Sequence, residues 1–388
     1  MAEKKIERKD WTSQFTLVGK PIVNDFTFEI DKHSTKSSYV YSRMRLGVDC
    51  GEKHGTVYGE MMGGYSLDDP YPLRKPTKKD NGSANFDEML IIDWDDRNND
   101  EIIEKVHRMS LITVGLEKTN DGKTYYRDFL TEYDAIEYIK EHLTSDMTVN
   151  VKGNLQYSVY NGVTQVRKNI TSIALSSKEP SDYKANFTQT ILLDSDSVKL
   201  KPEYIDKDKG VLYVDGRVLD YVKEYNGVEV KGQFPYNMRF EFDISMLDEN
   251  KLKKVYDKYL KVKKHVTQET FEGDFVESGA KIQPTMDDIP DDIKELIELG
   301  LCSADDALEK MSSNGSKERR MVLKKPFFKM VGEDDNKQLT LQKFDERFEE
   351  DDLILDCMTN DAGAEKTPWE DEESDSSDGD DMSWLDNL

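Results

Sequence analysis

The chain has 388 residues, with 79 Asp and Glu against 54 Lys and Arg, a formal net charge of −25. That balance excludes a uniformly basic coat for duplex DNA, while leaving room for a binder whose cations are gathered in one groove. Three widely spaced cysteines (Cys50, Cys302, Cys357) and five histidines show no CxxC pair or ligand spacing, so neither a zinc site, a disulfide framework nor any cofactor is expected.

The opening MAEKKIERKD is charged and lacks an apolar core, and no apolar run approaches the roughly eighteen residues of a membrane span. The expectation is a cytosolic protein (host cytoplasm for a phage-encoded one) without a membrane partner. The length fits two or three domains.

Strands are predicted from Trp11 to about Pro180. In SSYVYSRMRLGVD, beginning at Ser37, Val40, Met44, Leu46 and Val48 share one face, and Tyr39, Tyr41, Arg43 and Arg45 the other. Asp49 to Gly55 marks a turn into TVYGEMM. From Gly63 to roughly Asp100 the composition changes to Pro, Gly, Asp and Asn, predicting a long exposed insertion, about 63–128 in all, with a short strand at MLIID from Met89. Tyr133, Ile136, Ile139 and Leu143 fall at helical spacing. They lead into VNVKGNLQYSVYNGVTQVRKNITSIAL, two long strands around a Tyr160-Asn161-Gly162 turn.

Similar grammar recurs over 185–280: strand-like stretches around an Asn226-Gly227 turn, a short helix near Asp248–Tyr259, then strands again. Two copies of one fold are therefore expected. Residues 286–344 read as a small helical and basic segment. Its stretch RRMVLKKPFFKM, from Arg319, is readable as a secondary nucleic-acid contact, a docking site for the tail or a basic strand face.

Residues 345–388 hold eighteen Asp or Glu against one Arg and one Lys. A segment so charged cannot offset its chain entropy by burial and is expected to be a disordered tail. A solubilising tail explains the acids. Trp369, Trp384, Leu385 and Leu388 instead fit anchors of a docking peptide.

The sharpest chemical signal is the face carrying Tyr39, Tyr41, Arg43 and Arg45. Single strands are held by aromatic faces that stack bases and cations that track phosphates. An ordinary solvent-facing strand also favours Tyr and Arg, so this strand alone leaves both readings open. The hairpin adds Lys152, Asn154 and Gln156 on one face, Arg167 and Lys168 on the return strand, and Tyr157 and Tyr160 beside the turn.

Together these features resemble the bacterial and phage single-stranded DNA-binding protein family, built on the OB-fold. The opening strand FTLVGKPIV, the strand YVYSRMRLGVD, and the helix followed by VNVKGNLQYSVYNGVTQVRKNITSIALSSKEP stand in the family's order, and the Asp-rich tail resembles its partner-binding tail. The resemblance covers less than half of the chain, plus the tail. Two departures stand out. The tip is MSWLDNL rather than an Ile-Pro-Phe type ending, which implies a different partner pocket. The family's stacking tryptophans are also missing, so Tyr39, Tyr41, Tyr58 and Tyr157 would have to substitute.

The expected protein is mostly β. It has an OB-fold barrel over 11–180 with an insertion at about 63–128, a second OB-like domain over 185–280, the short helical element and the disordered acidic tail. The resemblance implies single-stranded DNA binding in replication, recombination and repair. Replication or recombination proteins would be recruited through Trp384, Leu385 and Leu388, and a homo-oligomer is compatible. The alternative is a protein-interaction adaptor or DNA mimic. No enzyme is expected: Asp93-Trp94-Asp95-Asp96 reads as a solvated loop before a nuclease cluster, no GK[ST] follows Gly63-Gly64, and no Ser, Cys or His sits in a nucleophile context.

Overall fold

The computed structural model describes residues 6–278 except 69, 161, 226 and 263, together with 289, 293–294, 297 and 318–359 except 333–336. The tail residues Trp369, Trp384, Leu385 and Leu388 lie outside them. Two compact units divide the chain: Met1–Val276 with Arg320–Leu353, and Glu277–Arg319 with Ile354–Leu388. The second contributes few described residues, among them a helical turn at Asp356–Thr359.

The first unit begins with β1 (Ser13–Ile22), β2 (Phe28–His33), β3 (Tyr39–Asp49) and β4 (Thr56–Ser66). Alternation sets their faces: Val40, Met44, Leu46 and Val48 are buried, and the residues between Tyr39 and Arg45 of the other parity are half-buried. Burying side chains such as Met44, Leu46 and Met61 completely contributes roughly 1.5–3 kcal/mol each.

The insertion then supplies a β5 (Leu73–Lys78) and β6 (Ala84–Ile92) hairpin, a one-turn α1 (Asp100–Ile103), β7 (Ile112–Lys118) and β8 (Thr124–Phe129). The strand expected at Met89 lies in β6, and the insertion is structured around it because Leu73, Leu90, Ile92, Ile102, Ile103, Val106, Leu111 and Leu130 form an apolar cluster of their own. Next, α2 (Glu132–His142) starts where the Thr131 hydroxyl accepts from the Asp134 amide, and it buries Ala135, Ile136, Tyr138 and Ile139. The long hairpin of β9 (Val149–Tyr160) and β10 (Val163–Leu175) follows, with Gly162 supplying the positive φ of 75° at its turn.

Five of these strands close on themselves in the order β1–β3–β4–β10–β9–β1, antiparallel throughout except for β4 beside β10. With the helix placed between the third and fourth ring strands, this is the closed Greek-key barrel of the OB type. Beyond the residues that reach β4, β10 pairs in parallel with β7 of the insertion, Ser172 opposite Thr113. β1 changes partner at Gly19, where a Cβ would overlap the carbonyl oxygen of Asp49.

The same ring order recurs downstream. It uses β11 (Lys184–Leu193), β13 (Val211–Tyr225), β14 (Val228–Asp243), β15 (Val266–Ser278) and β16 (Glu318–Pro326); β12 is the two-residue Ile205–Asp206 strand beside β13. The circuit β11–β13–β14–β16–β15–β11 closes with β14 and β16 parallel. Between its third and fourth strands lies α3 (Glu249–Val255), running into a π turn at Tyr256–Leu260. The fifth strand thus comes from 318–326, beyond residue 280.

After β16 come β17 (Phe328–Val331) and β18 (Gln338–Leu341), which form a separate hairpin, and β19 (Lys343–Phe348), which pairs with β15. The two rings share one sheet because β1 pairs with β11, Ser13 opposite Gln189.

Candidate nucleic-acid interface

In an OB-type barrel the second and third strands form the ligand face; here these are β3 and β4. Across them Tyr41 opposes Gly64, Arg43 opposes Met62, Arg45 opposes Glu60, and Tyr58 opposes Gly47. Gly47 is needed because a Cβ there would stand 2.9 Å from the Tyr58 ring. Tyr39 begins the same face; burial, with Glu132 second, raises its hydroxyl pKa.

The centre of the face is Glu60. Arg43 Nη2 lies 3.1 Å from one of its oxygens and Arg167 Nε of β10 3.5 Å from the other. Arg45 reaches Glu29 of β2 at 3.8 Å. Three guanidiniums and two carboxylates thus meet on this one face. Partial burial, then neighbouring Arg43, lower the Arg45 pKa. The face therefore sets guanidiniums beside aromatic rings.

The remaining candidates go elsewhere. Lys168, adjacent to Arg167, projects to the opposite side of β10, its ammonium 4.7 Å from the Phe275 ring centroid. Tyr157 is buried (5 % exposed); its hydroxyl donates to Gln189 at 2.7 Å and its ring packs near Tyr236, so it ties the first ring to the second. Burial pushes its hydroxyl pKa far up. Tyr160 is 47 % exposed at the end of β9, beside the hairpin turn.

Lys152 is exposed on β9 and lines a separate cleft of about 560 Å³ over β10, β9, β1 and β11. Arg108 and Met109, from the 3₁₀ turn Arg108–Ser110, form its wall. Sequence reasoning missed Glu60, Glu29 and Arg108. No local signal marks them, since each acts through a cross-strand or insertion contact.

The corresponding face of the second ring is differently charged. Arg217 of β13 is held by Asp194 and, at 2.9 Å, by Glu350. Arg239 pairs with Asp215 at 2.6 Å. Tyr213 donates to Asp206, whereas Tyr221 and Lys223 are exposed farther along β13. The basic stretch on β16 is also engaged: Arg320 pairs with Glu241, Lys324 with Asp243 and Lys325 with Glu272.

No significant relative of the sequence is found among curated proteins. Among solved structures, a deletion mutant of the single-stranded DNA binding protein from Thermus aquaticus is similar over 72% of this chain and 89% of that one, with 9% identity and a TM-score of 0.30. The YorF family model matches residues 73–280, which run from β5 of the insertion through β15 of the second ring. That span is more than half of the chain, which therefore belongs to the YorF family.

Proposed function

We propose that the protein binds single-stranded DNA on the outer face of β3, β4 and β10, coating and protecting it during replication or recombination. The observation that carries this reading is the convergence of Arg43, Arg45 and Arg167 beside Tyr41 and Tyr58, on the strands an OB-type barrel uses for oligonucleotides. Stacking supplies roughly 1–3 kcal/mol per base without reading its identity. Arginine supplies charge that no physiological pH removes.

The second ring is a scaffold in this reading, because Arg217 stands between two carboxylates, Asp194 and Glu350, and Arg239 has Asp215 to itself. The acidic tail recruits replication or recombination proteins, with Trp384, Leu385 and Leu388 as anchors steered by the surrounding acids.

The test is oligo-dT binding by the Tyr41→Ala, Arg43→Ala double variant. One stacked base and one phosphate contact predict a loss of more than about tenfold in a variant that remains folded. Unchanged affinity refutes the site. A wild-type protein that binds no oligo-dT at low salt while still capturing protein partners makes it an adaptor instead. Repeating the titration with oligo-U separates DNA from RNA preference.

A further inference from the structure

The cleft beneath Arg108 and Met109 differs from every other charged surface described above in that no carboxylate lines it. In a chain with 79 acidic residues out of 388, acids here stand behind the lining, where Thr113 donates to Asp128 at 2.6 Å. Its floor is made of hydroxyls and amides, including Gln14, Thr16, Asn154 and Thr188. The two cations present, Lys152 and Arg108, make no ion pair among the described residues, in contrast to the arginines around Glu60. Another lining residue, Asn186, donates to Asp274, and Lys53 neutralises that carboxylate at 2.7 Å. The volume is that of an ordinary small-ligand site, but the lining is mostly polar and spans several strands, which favours a chain lying across it.

Strand register connects this cleft to the arginine face. Arg45 stands opposite Glu60, Glu60 opposite Asn169, Asn169 opposite Asn154, Asn154 opposite Gln14, and Gln14 opposite Thr188. Directly opposed residues project to the same side of a sheet. One unbroken polar row therefore crosses six strands from β3 to β11. The next row along β9 runs Ser172, Lys152, Thr16 and Asn186. Thus Lys152 stands one row beyond the track.

We propose that this cleft holds the phosphodiester backbone of a single strand that has crossed the barrel from the β3–β4 face. Lys152 and Arg108 contact its phosphates, the amides and hydroxyls of the floor bond sugar and phosphate oxygens, and the exposed thioether of Met109 contacts a base. This rests on the function proposed above and extends the bound segment around the barrel.

The test uses the full chain with Lys152→Ala and Arg108→Ala combined; both side chains are exposed, so the fold should tolerate their loss. Binding is measured for oligo-dT of about six nucleotides, which the first face accommodates, and of about twenty, which reaches the cleft. The expected result is a change below about twofold for the short oligonucleotide and a loss of about tenfold for the long one. The salt slope for the long one should fall by about 1.4, roughly 0.7 for each lost phosphate contact.

If the long oligonucleotide keeps its affinity and slope while the Tyr41 and Arg43 variant weakens both, the cleft proposal falls and the β3–β4 site stands. If the Tyr41 and Arg43 variant is harmless and only the cleft variant loses binding, the β3–β4 site falls and the cleft is the nucleic-acid site. Tripolyphosphate supplies the remaining arm. If it raises the melting temperature of the wild type but not of the cleft variant, while long and short oligonucleotides behave alike, the occupant is a free polyphosphate and the proposal is overturned.

Discussion

Glu60 is the most informative single position for the proposed function, because it competes with the ligand for the same cations. Its side chain accepts from Arg43 at 3.1 Å and faces Arg167 at 3.5 Å. A phosphate approaching these guanidiniums must share them with a carboxylate already in place. Partly exposed ion pairs of this kind contribute about 1 kcal/mol or less each, so displacing both costs about 2 kcal/mol at most. Glu60→Gln keeps the shape and a carbonyl acceptor for Arg43 while removing the charge. Affinity for oligo-dT should therefore rise, up to about thirtyfold by the conversion of roughly 1.4 kcal/mol per tenfold. Removing the competing carboxylate should also steepen the salt dependence of binding. Fluorescence anisotropy of labelled oligo-dT between about 50 and about 200 mM salt reads both quantities. The variant will be less stable, because three arginines then crowd one face, so circular dichroism must show it folded. Weaker affinity in a folded variant refutes the assignment of this face, since removing a competing negative charge should not weaken a phosphate site.

Three other consequences can be measured directly. Glu269 of β15 is 1 % exposed, neither carboxylate oxygen has a hydrogen-bond partner among the described residues, and burial pushes its pKa up to about 8, only partly offset by Lys343. Because the folded pKa lies above the unfolded value near 4.5, the folded state holds a proton that the unfolded state releases. Urea stability should therefore fall by up to about 1.4 kcal/mol per pH unit between about pH 4.5 and 8, and Glu269→Gln should flatten that slope; parallel profiles would exclude it. Arg217→Ala should leave oligo-dT affinity unchanged yet lower stability by about 1–3 kcal/mol, because Asp194 and Glu350 lose their shared partner; calorimetry and anisotropy read the two effects. A fragment of residues 185–279 lacks β16 and should show no cooperative unfolding, whereas one extended to residue 353 regains the fifth strand and should melt cooperatively; cooperative unfolding of the short fragment would mean that β16 is dispensable.

What could be read from the sequence was whatever depends on period two within one strand. The split of β3 into a buried Val40, Met44, Leu46, Val48 face and a cationic, aromatic face follows from alternation alone. The same rule, carried along β9 from Val149, Val151 and Leu155, puts Tyr157 on the buried face. It also separates the neighbours Arg167 and Lys168 across β10. Pairing across strands was not legible. Glu60 reaches Arg43 and Arg167 only once β4 has met β3 on one edge and β10 on the other. The closing strand of the second ring was hidden for a related reason: β16 lies some forty residues after β15 in the chain, and parallel pairing with β14 leaves no local signature. Arg108 enters the cleft from an insertion whose composition reads as loop, although its apolar residues pack together.

The two rings share one strand order but differ in where their carboxylates stand. In the first, Glu60 is divided between two arginines and Arg45 reaches Glu29 only at 3.8 Å. In the second, Asp215 lies directly opposite Arg239 in the register, and Arg217 is enclosed between Asp194 and Glu350. Charge on a chain with a net −25 is thus organised locally. At physiological ionic strength, fields between exposed groups decay over about 8 Å. A polyanion close to the β3–β4 face therefore responds mainly to the few cations under it, and much less to the acids elsewhere. At low salt the whole chain repels it, which slows encounter while the local contacts grow stronger. A binder built this way should show association rates that rise with moderate salt even as its equilibrium affinity falls. A uniformly basic surface would make both fall together, so stopped-flow association measured over the same salt range distinguishes a local cationic face from a general electrostatic coat.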